Sequence, residues 1–111
     1  MSVHLKLRDH RVVRAIHALR VQPTLDARDL ASMLRLSTSH FQHLFKTQTG
    51  MSVRLYSREV RLQRALELLD ANWLSVKQVR NDVGIPDAPN FTRDFRNRFG
   101  MTPTKYGERA A

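Results

Sequence analysis

The chain has 111 residues, no cysteine, 41% hydrophobic residues, and 19 Lys and Arg against 10 Asp and Glu, for a formal charge of +9. That length makes one compact domain, or two very small ones sharing an element, and the apolar content excludes a disordered tail. Without Cys there are no disulfides or thiolate metal sites, no apolar run approaches the ~20 residues of a transmembrane helix, and the charge points to a polyanionic partner, nucleic acid before an anionic membrane surface.

Glycine and proline are few and lie between periodic segments, and no strand pattern competes, so the chain reads as all-α with about seven helices. The opening MSVHLKLRDHR has no apolar stretch of signal-peptide length, so the expected location is the cytoplasm, on the nucleoid. A first helix is predicted over about 9–20, with Val12, Val13, Ile16 and Leu19 at helical spacing. After VQPTLD, Thr24 or Asp26 can cap a short second helix over about 26–34 that carries Leu30, Met33 and Leu34. Ser37 caps a third helix to about 48, which Gly50 ends. A long helix follows over about 52–71, with Leu55, Leu62, Leu66 and Leu69 on one stripe and Arg54, Arg58 and Arg61 on a neighbouring one. Ser75 caps a fifth helix to about Val83, stopped by Gly84. Asp87 caps a sixth over about 88–99, with Pro89 in its first turn, where proline is tolerated, and Gly100 beyond its end. TPTKYGER can form one last short turn of helix.

The chain repeats itself. HFQHLFKTQTGM at 40–51 returns as NFTRDFRNRFGM at 90–101, so Phe41 and Phe45 correspond to Phe91 and Phe95, Lys46 to Arg96, Ser52 to Thr102, and Tyr56 to Tyr106. A repeat of this length is a supersecondary unit used twice, here a short helix, a tight turn and a longer helix. The expected organisation is a single domain over 1–111, with one helix-turn-helix unit over 9–51, a linker helix over 52–71 and a second unit over 75–109. Projected at 100° per residue, Phe91, Phe95 and Phe99 point inward while Asn90, Arg93 and Asn97 face out. In the third helix Phe41 and Phe45 point inward while Ser39, His43, Lys46 and Thr47 face out, with Gln42 at the margin. An exposed face of amide and basic side chains suits a helix read into the major groove, where Arg can bond guanine twice and Asn or Gln can bond adenine. An apolar stripe with a charged opposite face is also the commonest surface helix in any globular protein, and the repeat and the charge favour the DNA reading. A linker of about 20 residues spans ~30 Å, close to the ~34 Å between successive major grooves, so one chain could read an asymmetric site without dimerising.

Residues 30–69, LASMLRLSTSHFQHLFKTQTGMSVRLYSREVRLQRALELL, resemble the first half of the AraC/XylS-type DNA-binding domain through Ala31, Ser37, His40-Phe41, Phe45-Lys46, Gly50, Tyr56 and Arg61-Leu62. VGIPDAPNFTRDFRNRFGMTPTKY resembles its second half, including the ending in which Phe91, Arg93, Phe95, Arg96, Phe99-Gly100, Thr102-Pro103 and Tyr106 keep their spacing. The resemblance covers roughly 9–106. It implies a bacterial transcription regulator, usually an activator, that is not an enzyme and needs no cofactor. Its partners would be double-stranded promoter DNA, RNA polymerase and an N-terminal regulatory domain absent from this chain; a small stand-alone regulator is the alternative. Carried over by position, the base contacts would be Ser39, Gln42, His43, Pro89, Asn90 and Arg93, and the phosphate contacts Ser37, Thr38, Lys46, Thr92 and Arg96.

Four departures stand out. Arg35 occupies the turn position that usually holds Gly, where a left-handed backbone would cost ~1–2 kcal/mol. Arg80 replaces a small packing residue and could snorkel outward to a phosphate; Ile85 replaces an aromatic; Gly107 stands where Arg is common. His40 and His43 lack the Cys or acidic partners of a metal site, so no metal is expected. Arg54, Arg58 and Arg61 form a solvated face or a secondary phosphate rail, and Trp73 is expected to pack rather than stack on bases. A basic RNA-binding or ribosome-associated protein, or a protein-interaction module, would share the charge but would not need the repeat.

Overall fold

The computed structural model describes residues 9–71 and 74–110. Among them are seven α-helices and no strand: α1 His10–Val21, α2 Ala27–Met33, α3 Thr38–Thr49, α4 Val53–Asp70, α5 Val76–Asp82, α6 Ala88–Phe99 and α7 Pro103–Ala110. Trp73 lies outside the described residues.

Most helix starts are set within a few residues of sequence. Ser37 Oγ accepts from the His40 N–H at 3.1 Å, and Asp87 Oδ1 accepts from the Asn90 N–H at 3.2 Å, each satisfying an amide the helix itself leaves unpaired. Asp26 and Asp29 form a reciprocal capping box at 2.8 and 3.1 Å, and the Asp29 N–H holds the Asp26 carboxyl below its ordinary pKa. Ser75 and Gln78 do the same for α5, at 3.1 and 2.8 Å. The capping residue of α1 is Asp9, the first residue of the range predicted for that helix. Its carboxylate accepts from the Arg11 N–H at 2.9 Å and from the Arg11 guanidinium at 3.0 and 2.8 Å. Gly50 and Gly100 end α3 and α6 in the left-handed region, at φ 79° and 88°.

Both helix-turn-helix turns are Schellman motifs. After α2, Leu36 N–H bonds Ala31 C=O at 2.9 Å and Arg35 N–H bonds Ser32 C=O at 3.1 Å; after α5, Ile85 N–H bonds Arg80 C=O at 3.0 Å and Gly84 N–H bonds Asn81 C=O at 3.2 Å. The left-handed residue is Gly84 in the second, at φ 75°, and Arg35 in the first, at φ 58°. The departure at Arg35 therefore does not change the turn; the arginine adopts the glycine conformation.

The chain divides into two compact units, one ending at Val60 and one beginning at Arg61, and α4 supplies residues to both. In the first, α2 and α1 pack on α3, and Val12, Leu19, Leu30, Phe41 and Phe45 are wholly buried. In the second, α5, α6 and α7 pack on one another, and Val79, Val83, Phe91 and Phe95 are wholly buried. The aromatic arrangement repeats with the sequence. Phe41–Phe45 and Phe91–Phe95 centroids are both 5.8 Å apart, and Tyr56 and Tyr106 stand 5.4 and 6.0 Å from Phe45 and Phe95. Each buried Phe contributes about 1.5–3 kcal/mol of hydrophobic stabilisation.

Some apolar positions expected to face a core do not. Val13, Met33 and Leu55 are 43%, 41% and 45% exposed. In α1 the inward positions are Val12, Ala15 and Leu19, so small Ala15 takes a place hydrophobicity alone would not assign it. In the first unit α4 buries Val53 and Ser57 rather than Leu55, because the Tyr56 ring settles on Phe45 and turns the helix accordingly; the leucine stripe holds only at Leu62 and Leu69, with Leu66 half-buried. The last turn expected after Gly100 is a helix of eight residues, α7, which begins at buried Pro103. Arg80 does not reach outward: its guanidinium donates to the Pro86 carbonyl, bracing the turn that Pro86 lengthens by one residue. Ile85 packs against the second core in place of an aromatic.

Candidate nucleic-acid interface

The burial of Phe41 and Phe45 decides which face of α3 is free. With those rings inward, Ser39, Gln42, His43 and Lys46 are exposed, Ser37 is exposed at the cap, and Thr38 is half-buried. In α6 the same logic, fifty residues on, leaves Pro89, Asn90, Thr92, Arg93 and Arg96 exposed beside buried Phe91 and Phe95.

Each longer helix flanks an open groove. Gln42, His43, Lys46 and Thr47 line the first, together with Arg54 at the start of α4. Pro89, Thr92, Arg93, Arg96 and Asn97 line the second. The structure thus brings Gln42, His43 and Lys46 together, and Pro89, Thr92, Arg93 and Arg96 together, at matching positions of the repeat. Ser37, Thr38 and Ser39 sit one turn earlier, at the N-terminal end of α3, where backbone amides and the helix dipole favour an anion. Ser37 caps α3 through its oxygen and keeps its O–H proton for a second partner. Thr47, Asn97 and Arg54 line the grooves without belonging to the expected contact set. Thr47 and Asn97 could have been found by the fifty-residue offset, but Arg54 could not, because its place depends on how α4 meets α3.

The two faces differ in electrostatics. From Ser37 to Thr49 there is no acidic residue. The second face holds a chain of polar contacts: Asn90 Nδ2 donates to Asp87 Oδ2 at 2.7 Å, Arg93 Nη2 donates to Asn90 Oδ1 at 2.7 Å, and Arg93 Nε lies 3.6 Å from Asp94 Oδ1. Asn90 does not line the second groove but ties Arg93, which does, to the helix cap. Among the described residues no group of three or more His, Asp or Glu side chains gathers as a metal site would require, and no helix is long and apolar enough to cross a membrane.

Residues 30–109 match a helix-turn-helix domain family. The Msm operon regulatory protein of Streptococcus mutans is 33% identical over 97 residues, covering 87% of this chain and 34% of the relative. The chain spans about a third of the length of the curated relatives it matches. A crystal structure of a DNA-binding transcriptional dual regulator from Escherichia coli K-12 superposes with a TM-score of 0.77 at 29% identity, covering 90% of this chain and 91% of that one. The C-terminal domain of AraT, a response regulator from Geobacillus stearothermophilus, shares the fold, with a TM-score of 0.80 at 23% identity over 91% of this chain and 86% of that one.

Proposed function

Because this chain belongs to the AraC family of helix-turn-helix transcription regulators, we propose that it binds double-stranded promoter DNA sequence-specifically, with α3 and α6 each entering a major groove. The family is one of DNA-binding regulators rather than enzymes. The carrying observation is the duplicated face: at one register of the repeat, Gln42, His43 and Lys46 and then Thr92, Arg93 and Arg96 line open grooves beside buried phenylalanine pairs.

Gln42, His43, Ser39, Pro89, Asn90 and Arg93 meet base edges, since amide and guanidinium groups match the donor and acceptor patterns of the major groove. Ser37, Thr38, Lys46, Thr92 and Arg96 hold phosphates, and the net charge of +9 supplies a sequence-independent attraction that salt weakens. Two motifs on one chain read two blocks one helical turn apart, so the site can be asymmetric. In this reading the protein acts in the cytoplasm as an activator, with RNA polymerase and an N-terminal regulatory domain as its protein partners; that the chain spans about a third of its relatives' length supports a further domain.

The test is a selection of random duplexes at ~150 mM salt, where purely electrostatic binding is suppressed. Enrichment of two short blocks about one helical turn apart is the expected result. Retention governed by salt alone, with no enriched sequence, overturns sequence-specific recognition and favours a basic structural or RNA-binding role.

A further inference from the structure

Asp87 does more than cap α6. One carboxylate oxygen accepts the Asn90 backbone N–H at 3.2 Å, and the other accepts the Asn90 side-chain amide at 2.7 Å. That second bond fixes which way the amide points, so Asn90 Oδ1 is turned to accept from Arg93 Nη2 at 2.7 Å. Asp94 stands 3.6 Å from Nε on the other flank of the guanidinium. Arg93 is therefore held at two of its three nitrogens while exposed over the second groove, with Nη1 and one hydrogen of Nη2 left free. Those are the donors a guanine edge takes in a bidentate contact.

The first motif has no counterpart. Its cap is Ser37, whose hydroxyl is too short to reach a side chain one turn on, and no carboxylate lies between positions 37 and 49. Acidic groups at a surface that meets phosphates weaken binding to every duplex, and such repulsion increases selectivity when only the right bases offset it. A long, free arginine would also lose rotamer entropy on binding, and holding it beforehand removes part of that loss.

We propose that Asp87 is a positioning residue that, through Asn90, presets the Arg93 guanidinium, so that the second motif selects by fixed geometry while the first reads with side chains that no carboxylate holds. This rests on the two-motif reading of duplex DNA given above. Asp94 is the flanking support. Asp87 touches no base; it acts through Asn90.

The first motif also supplies the test. Ser at the capping position suffices for α3, and Ser, Asn and Asp cap helices about equally well. Asp87→Ser therefore retains α6 but removes the relay, and Asp87→Asn places an N–H2 donor against that of Asn90 with the cap intact. Each variant is compared with the parent protein in random-duplex selection, in affinity for a duplex carrying the selected site and one with the second block scrambled, and in thermal melting. The expected result is a near-parental melting temperature, tighter binding to the scrambled duplex, and a fall of about fivefold to tenfold in preference for the intact second block, within the range one bidentate base contact can supply. Preference for the first block stays as it was. Parental preference at the second block in either folded variant means that Asp87 only caps α6, and overturns the relay alone. A parent protein that selects no second block overturns the two-motif reading and the relay with it.

Discussion

Tyr106 donates its phenolic hydrogen to the carboxylate of Asp70, tying α7 to the last residue of α4 within the second unit. The same ring stands 6.0 Å from Phe95, so one side chain joins the aromatic core to a surface polar contact. The Asp70 carboxylate, as acceptor of that hydrogen, raises the phenol above its ordinary pKa of 10.0. A raised folded pKa means that the bond contributes fully below the unfolded value and is lost as pH climbs through the folded one. Tyr106→Phe should lower the melting temperature modestly at neutral pH and should flatten the alkaline decline above about pH 10. Parallel melting curves for parent and variant across that range would show that the hydroxyl contributes nothing to the fold.

An acid-side counterpart sits at the other end of the chain. Hydrogen bonds from the Arg11 guanidinium, aided by the Arg11 N–H, lower Asp9 from 3.8 to about 2. Its contribution is complete above about pH 4 and disappears as pH falls through about 2. Asp9→Asn retains an oxygen for the cap but loses the paired charge, so it should melt less steeply with acid between pH 4 and pH 2 than the parent does. Thermal melts in that window compare the two slopes directly.

Arg35 holds a left-handed backbone at φ 58°, and its exposed side chain makes no polar contact among the described residues. Relief of αL strain in Arg35→Gly gains about 1–2 kcal/mol, and the greater freedom of glycine in the unfolded chain returns about 0.4–1 of that. A net gain of about 0.5–1 kcal/mol is expected in urea unfolding. A loss would show that the arginine stem packs to more effect than its backbone strains.

Gly107 lies inside α7, where a Cβ would meet Leu69 Cδ2 at an ordinary 3.7 Å. Gly107→Ala should stabilise by about 0.5–1 kcal/mol through helix propensity, with a small further contribution from the methyl against Leu69. The same urea titration measures it, and a loss of stability would mean that α7 needs the glycine for its approach to α4.

Arg93→Ala and Lys46→Ala separate base reading from phosphate holding. The first should cost about 1–3 kcal/mol of discrimination at one or two base pairs, and the second should weaken all duplexes about equally and reduce the salt slope by about one. Binding isotherms on matched and scrambled duplexes at two salt concentrations supply both quantities. An equal loss across sequences for Arg93→Ala would move that residue to the phosphate group.

Caps, stops and the repeat were legible because they are short-range chemistry. Ser37, Ser75 and Asp87 each bond an amide three residues ahead, Gly50 and Gly100 supply left-handed backbone, and the Phe41–Phe45 and Phe91–Phe95 spacings define one face of a helix whatever surrounds it. Those local rules sufficed for the all-α class, for the helix order and for which side chains of α3 and α6 stay outside. What they could not decide is where helices meet. Leu55, expected inward, is exposed while Ser57 is buried, because burial in α4 follows the Tyr56–Phe45 contact rather than side-chain hydropathy. Arg80 turns to the Pro86 carbonyl, and Arg93 is taken up by Asn90, itself held by Asp87, because a long side chain settles on whichever partner the folded turn brings within reach. Periodicity determines a residue's face; only the packed structure determines its neighbour, and in the second motif that neighbour sets which donors of Arg93 stay free.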